Sequence, residues 1–290
     1  MNLKILYRGH VTDCNLACPY CPFAKTRNDA AARELDKSDL ERFVDWVERH
    51  GAIGWTFEIL FTPYGEALIH PWYQSAMVRL SRMGHVRKVA AQTNLSWYTA
   101  WTAGLDPAKA AFWATFHPGQ AKESVFLQRC RELSDRGIPH SVGVVGLKEH
   151  FPAIDSLRRT LPDSTYMWVN AFKRQEGYYA DSEIAHLESI DPYFRHNLPY
   201  YQTLGRDCRT GSEVVAIEGN GDLLRCHFDK TVRGNIFQQE LAEMLRAERC
   251  AQATCHCHIG YVHAPHLGMA EIYGDRILER IPSKMPPKNT

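Results

Sequence analysis

The sequence predicts an α/β fold: six β–α units in series forming a partial, open barrel, followed by a small hairpin-and-helix domain. Short apolar runs alternate with helical patterns from residue 2 to about 171, the signature of a parallel sheet with helical crossovers. Six units fall short of the eight that close a full barrel. After Asn170 the alternation stops, and a different pattern begins at Ser212.

Six runs read as strands: Leu3–Tyr7, Trp55–Phe61, Val86–Gln92, Ala111–Phe116, His140–Gly146 and Thr165–Asn170. Each is short, apolar and bounded by turn or helix signals. Between the first two, Leu40, Phe43, Val44 and Val47 fall at i, i+3, i+4, i+7, with Asp36 or Ser38 as the cap. Further helical patterns cover 71–83, 96–104, 121–136 and 150–161. Residues 172–206, polar and aromatic with Pro192 and Pro199, read as a linker holding one short helix. Val214–Ile217 and Leu223–Cys226 flank an Asn-Gly turn and form a hairpin. An amphipathic helix over 236–249 and a Cys/His-dense loop follow. The expected division is therefore 1–171, a linker 172–206, a second domain 207–281 and a frayed tail 282–290.

Composition narrows the function classes. Of 290 residues, 44% are hydrophobic and 23% charged, which excludes a disordered or collagen-like chain. A net charge of +1 gives sequence-blind nucleic-acid binding no bulk electrostatic support. The start lacks a signal peptide's apolar run, and no stretch reaches the ~18 apolar residues of a membrane helix. The expected compartment is the cytoplasm, where clustered cysteines, among the nine here, more often bind metal than form disulfides.

Cys14, Cys18 and Cys21 form C-x3-C-x2-C directly after the first strand. Three is the informative number. A structural zinc site is normally closed by four protein ligands, whereas a 4Fe–4S cluster held by three leaves one iron open. Pro19, Tyr20, Pro22 and Phe23 would collar such a cluster against water.

The run Cys14-Asn15-Leu16-Ala17-Cys18-Pro19-Tyr20-Cys21 resembles the defining motif of the radical S-adenosylmethionine superfamily, in spacing and in the aromatic before the last cysteine. The resemblance implies a partial (βα)6 TIM-like barrel. It also implies a catalytic 4Fe–4S cluster on these cysteines that binds and reductively cleaves S-adenosylmethionine. Tyr64-Gly65-Glu66 looks like the family's Gly-Gly-Glu segment, with Tyr64 replacing the first glycine; Gly65 and Glu66 would accept from the methionyl ammonium. Thr93-Asn94 resembles another recurrent segment. Thr115 or His117 stands where the family contacts the ribose. Val142-x-Val144-x-Gly146-x-x-Glu149 resembles the fifth-strand adenine motif, and Trp168 and Asn170 end the sixth strand. The whole chain is also similar to a bacterial subgroup of these proteins.

Five of the other six cysteines are Cys208, Cys226, Cys250, Cys255 and Cys257. Cys208 and Cys226 bracket the hairpin as C-x17-C, which looks like the SPASM and twitch extensions that bind auxiliary iron–sulfur clusters. Five cysteines fit the shorter twitch form and one auxiliary 4Fe–4S cluster. Cys255 and Cys257 are the first choice for its remaining ligands, with Cys250 the alternative. Zinc is the competing metal, with His256 or His258 replacing a thiolate. Cys130, on a helical pattern, reads as a small buried hydrophobe.

The expected function is a radical enzyme abstracting hydrogen from a peptide or small molecule, with peptide or natural-product maturation favoured. The auxiliary cluster would accept electrons or bind substrate. A flavodoxin- or ferredoxin-type reductant is implied, and a separate peptide-capturing protein is a further candidate partner. The alternatives are a binding protein stabilised by structural zinc, and an RNA-modifying radical enzyme.

Overall fold

The computed structural model describes residues 1–23 and 26–284; residues 285–290 of the expected tail lie outside the described residues. Six parallel strands follow one another in order: β1 (Asn2–Gly9), β2 (Thr56–Phe61), β3 (Val86–Thr93), β4 (Ala110–Phe116), β5 (His140–Val145) and β6 (Met167–Asn170). The crossovers carry α1 (Ala30–Gly51), α2 (Pro71–Arg82), α3 (Glu123–Asp135) and α4 (Phe151–Thr160). The stretch expected as a helix over 96–104 is a 3-10 segment, Thr99–Gly104.

Helix α1 starts earlier than its apolar spacing suggests. Asp29 caps it by accepting from Ala32 N at 2.8 Å. Asp36 and Ser38, the two expected caps, both lie inside the helix, and Asp36 is buried. It accepts from His10 N (2.7 Å), Trp72 Nε1 (2.7 Å) and the Tyr73 hydroxyl (3.0 Å), tying α1 to α2. A capping-type residue was thus taken up by tertiary partners.

Alternation along each strand splits the core into two layers. Ile5, Tyr7, Val89, Phe112 and Val144 pack under the helices. Leu6, Leu60, Ala90, Trp113 and Trp168 face the other way. That inner face is covered by the chain's last described stretch through Ile259, Tyr261, Met269, Tyr273, Ile277 and Leu278. Two short helices, α7 (His258–Tyr261) and α8 (Met269–Tyr273), carry most of these side chains; α7 and α8 are numbered after α5 (Asp181–Ile190) and α6 (Leu241–Met244).

The linker holds α5 and a two-residue strand β7 (Tyr201–Gln202), which pairs with β11 (Thr254–Cys255). The expected hairpin forms from β8 (Val214–Glu218) and β9 (Asp222–Cys226), and β10 (Asp229–Asn235) adds a third strand. Strand β8 runs parallel to β1, Lys4 opposite Val214, so the sheet continues as β10-β9-β8-β1-β2-β3-β4-β5-β6. This pairing covers the edge that β1 would otherwise expose.

The helix expected over 236–249 shrinks to the four residues of α6. Its downstream backbone is claimed by distant partners: Arg246 N donates to Gly211 O (2.7 Å), Cys250 N to Arg206 O (2.8 Å), and Arg225 to Glu248 O (2.6 Å). Those bonds hold the cysteine-bearing loop open and extended. Among the described residues no helix is long and apolar enough to cross a membrane.

Candidate active site

Parallel strands bring their C-terminal ends to one edge, so residues far apart in sequence meet there. The loop after β1 carries Cys14, Cys18 and Cys21 and is pinned from several sides. Asp13 pairs with Arg33 (3.0 Å), and its Oδ1 lies 3.4 Å from Nε2 of His70, whose pKa burial lowers. Asn28 Oδ1 accepts from Thr12 N (2.9 Å) and Asp13 N (3.1 Å), and Gln120 Oε1 accepts from Ala17 N (3.1 Å). Leu16 N donates to Cys14 Sγ at 3.4 Å. The expected collar is only partial: Pro19, Pro22 and Phe23 are exposed, while Tyr20 is half-buried.

Gly65 is fixed by close approach. A Cβ there would stand 1.9 Å from the Asp13 carbonyl oxygen, and next to it Glu66 N donates to that oxygen at 3.0 Å. The glycine thus lets the β2 loop lock onto the cysteine loop. Glu66 is 4% exposed and accepts from Leu68 N (3.2 Å), the Thr93 hydroxyl (2.7 Å) and Asn94 N (2.6 Å). Burial raises its pKa to about 7 against the pull of those three donors. Asn94 Nδ2 then reaches Cys14 Sγ (3.6 Å) and Asn15 Oδ1 (3.1 Å). One hydrogen-bonded chain therefore links the ends of β2 and β3 to the first cysteine.

On the other side His117 Nδ1 lies 3.4 Å from Cys18 Sγ and 2.9 Å from the Tyr20 hydroxyl. Burial, with a smaller contribution from His150, lowers its pKa to about 4, so the imidazole is neutral near pH 7. Burial also pushes the Cys14 thiol up to about 11; a bound metal centre would draw that proton off. Arg174 donates to Tyr20 O at 2.7 Å.

Not every expected residue converges on this cluster. Thr115 is half-buried on β4, two residues before His117. Val144 points into the helix-side core. Gly146 sits at the end of β5 beneath Tyr179, whose hydroxyl donates to its carbonyl at 2.6 Å. Trp168 lies within the inner layer and donates to Ser141 Oγ (3.1 Å). Asn170 is exposed at the end of β6. Asn15, Gln120 and the Asp13–Arg33–His70 group were not legible as site residues, because their partners lie tens of residues away.

The second cysteine group is gathered by the extended loop. Cys208, Cys226, Cys250 and Cys255 line one cavity together with Thr210, Phe228 and Gly260. Thr210 Oγ1 donates to Cys208 Sγ at 3.2 Å, and the backbone N–H groups of Phe228 and Asp229 point at the Cys226 sulfur. Gly260 makes room: a Cβ there would meet Phe228 at 2.6 Å and Cys255 Sγ at 2.8 Å. Cys257 is outside this lining; burial pushes its thiol pKa up, opposed by the Ile259 N–H and the positive charges of Arg280, Lys173 and Arg8. Cys130 is a buried residue of α3, as its helical pattern implied.

Among the described residues, no three Cys, His, Asp or Glu side chains are placed to hold a single metal ion. A cubane cluster binds each thiolate to a different iron, so its ligands stand farther apart than those of one zinc ion. Two cysteine groups with N–H or O–H donors aimed at sulfur fit such a group.

Fold and site together define a parallel α/β protein presenting a three-cysteine loop at the C-terminal edge of its sheet. Solved structures similar to it include two of anSMEcpe. Native anSMEcpe with bound AdoMet and Cp18Cys peptide matches over 85% of this chain and 81% of that chain, at 13% identity and a TM-score of 0.54. A histidine-tagged anSMEcpe with bound AdoMet matches over the same shares, at 13% identity and a TM-score of 0.55. At that identity the likeness is one of fold. No family model and no curated protein matches the chain.

Proposed function

We propose that this chain is a radical S-adenosylmethionine enzyme built on a partial (βα)6 barrel over 1–171, a linker 172–206 and a twitch-like unit 207–281. One observation carries the reading. The C-x3-C-x2-C loop is bonded to Glu66 and Asn94, and Glu66 in turn accepts from Thr93, at the C-terminal edge of a parallel sheet. When bound there, a 4Fe–4S cluster supplies the electron that cleaves S-adenosylmethionine to methionine and a 5′-deoxyadenosyl radical, which takes hydrogen from substrate.

The chain's own residues hold and orient. Cys14, Cys18 and Cys21 ligate the cluster. Gly65 keeps the β2 loop against the cysteine loop, and Glu66 fixes Asn94 and offers a carboxylate to the cofactor's ammonium. Tyr20 and neutral His117 shield Cys18. An auxiliary 4Fe–4S cluster is held by Cys208, Cys226, Cys250 and Cys255, the four thiols that share a cavity. This set replaces Cys257 with Cys250.

The substrate is a peptide or small molecule; anSMEcpe, similar in fold, was solved with a peptide. An external flavodoxin- or ferredoxin-type reductant completes the reaction. The test is 5′-deoxyadenosine formation by the anaerobically reconstituted, reduced protein. Wild type forms it, and Cys18→Ala, left with two catalytic thiols, does not. Equal production by the variant would reject the assignment, and no production from fully iron-loaded wild type would favour a metal-stabilised binding protein.

A further inference from the structure

The turn after β3 holds a conformation that its sequence does not favour. Leu95 has φ +53° and is 2% exposed. Among the described residues only Leu95 and Arg280 are non-glycine positions in this left-handed region, where a Cβ is crowded by the backbone. Neighbouring bonds impose it. Leu95 N donates to Thr93 Oγ1 at 3.1 Å, and Leu95 O accepts from Arg129 Nη1 at 2.5 Å. A strained, buried turn beside a candidate active site marks a side chain whose aim matters.

That side chain is Asn94, itself 5% exposed. Its backbone N donates to Glu66 Oε2 at 2.6 Å, and its Oδ1 accepts from Ser96 N at 2.9 Å. The second bond fixes the amide's orientation, because a flipped amide would set its own N–H against that of Ser96. Nδ2 is thereby turned to the cysteine loop, 3.6 Å from Cys14 Sγ and 3.1 Å from Asn15 Oδ1. Ser96 Oγ donates to the same Asn15 oxygen at 3.1 Å. A Cys14 deprotonated to hold metal can only accept through its sulfur. Leu16 N, at 3.4 Å, and Asn94 Nδ2 are the donors aimed at it, and of the two only Asn94 uses a side chain that a substitution can remove.

We propose that Asn94 sets the reduction potential of the first cluster by donating to the Cys14 sulfur. The proposal rests on the reading that Cys14, Cys18 and Cys21 hold a 4Fe–4S cluster. Reduction adds one negative charge, shared by the sulfurs. An N–H aimed at sulfur stabilises the reduced form more than the oxidised one, so it raises the potential toward that of an external reductant. Asn94 acts through Cys14 and is a positioning residue.

The test is a redox titration of the anaerobically reconstituted holoprotein, read by the EPR signal of the reduced clusters. The signal lost in Cys18→Ala belongs to the first cluster. Asn94→Leu, similar in size but without a donor, should lower that cluster's reduction equilibrium constant about tenfold, about 59 mV for one electron. Iron content and the second cluster's potential should stay as in wild type. Asn94→Ser, whose hydroxyl is too short to reach the sulfur, should do the same and guards against misfolding of the Leu variant. A lowering of less than about threefold, or a rise, overturns the inference. So does loss of iron from both variants, which would make Asn94 a structural support only. Unchanged potentials in an enzyme that forms 5′-deoxyadenosine reject the inference alone. The expected shift in an iron-loaded protein that never forms 5′-deoxyadenosine rejects the radical reading and leaves the role of Asn94 standing. If Cys18→Ala removes no signal, the loop holds no cluster and both fall.

Discussion

Gly65→Ala isolates the contact on which the candidate site hangs. The new Cβ would lie 1.9 Å from Asp13 O, 2.8 Å from Asp13 C and 2.9 Å from Asp13 N. All three are backbone atoms, so no side chain can swing away. Restoring a van der Waals separation requires the two loops to part by roughly 1.5 Å. That stretches the Glu66 N to Asp13 O bond, now 3.0 Å, beyond hydrogen-bond range. Overpacking costs about 1–3 kcal/mol and the buried unmade bond about 1–3 kcal/mol. The reduced entropy of the unfolded chain returns about 0.4–1 kcal/mol. A net loss of roughly 2–4 kcal/mol is expected. Urea unfolding of both proteins measures it, and Gly84→Ala, whose Cβ would meet nothing within 4 Å, is the control. S-adenosylmethionine affinity should fall with stability, because the same shift moves Glu66 and Asn94. A Gly65→Ala protein within 0.5 kcal/mol of wild type, the scatter of ordinary surface changes, would refute this account of the loop contact.

Three further outcomes are expected. Glu66, raised by burial from 4.5 to about 7, keeps its proton in the folded state over a range where the unfolded chain has lost it. Stability should therefore fall as pH rises from about 4.5 to about 7, by roughly 3 kcal/mol; Glu66→Gln should flatten most of that slope in urea midpoints taken at pH 5 and pH 8, and an unchanged slope would deny the buried carboxyl its role. Cys250→Ser should lower bound iron from about eight to about four per chain while Cys257→Ser leaves it near eight, if both centres are cubanes; the reverse pattern would return Cys257 to the ligand set. Asp36→Ala leaves three donors without their acceptor and should cost about 2–4 kcal/mol, read as a lowered urea midpoint; a midpoint equal to wild type would show the three donors satisfied elsewhere.

The α/β class, the parallel order of the first six strands and the hairpin were legible because each rests on local periodicity. So were the cysteine groups, whose spacing is itself the signal. Helix boundaries failed where tertiary bonds outbid local ones: Asp36 bonds Trp72 and Tyr73 instead of capping α1, and the 245–250 backbone bonds the 205–211 loop instead of continuing α6. Strand alternation explains the rest of the site. Val144 and Trp168 belong to opposite faces of the sheet, and only the register says which face each one meets.

The sequence by itself determined where the thiols fall, three in one short loop after β1 and five more toward the chain's end, because short-range spacing is written directly in the chain. The tertiary structure decided what those residues touch. It alone joined β8 to β1, brought Asn94 and His117 to the first thiol group, and gathered Cys250 with Cys208, Cys226 and Cys255 around a cavity that Cys257 does not line. The reason is physical: these contacts close loops of tens to hundreds of residues, and their free energy comes from burial and edge pairing spread over the whole sheet, not from any local motif.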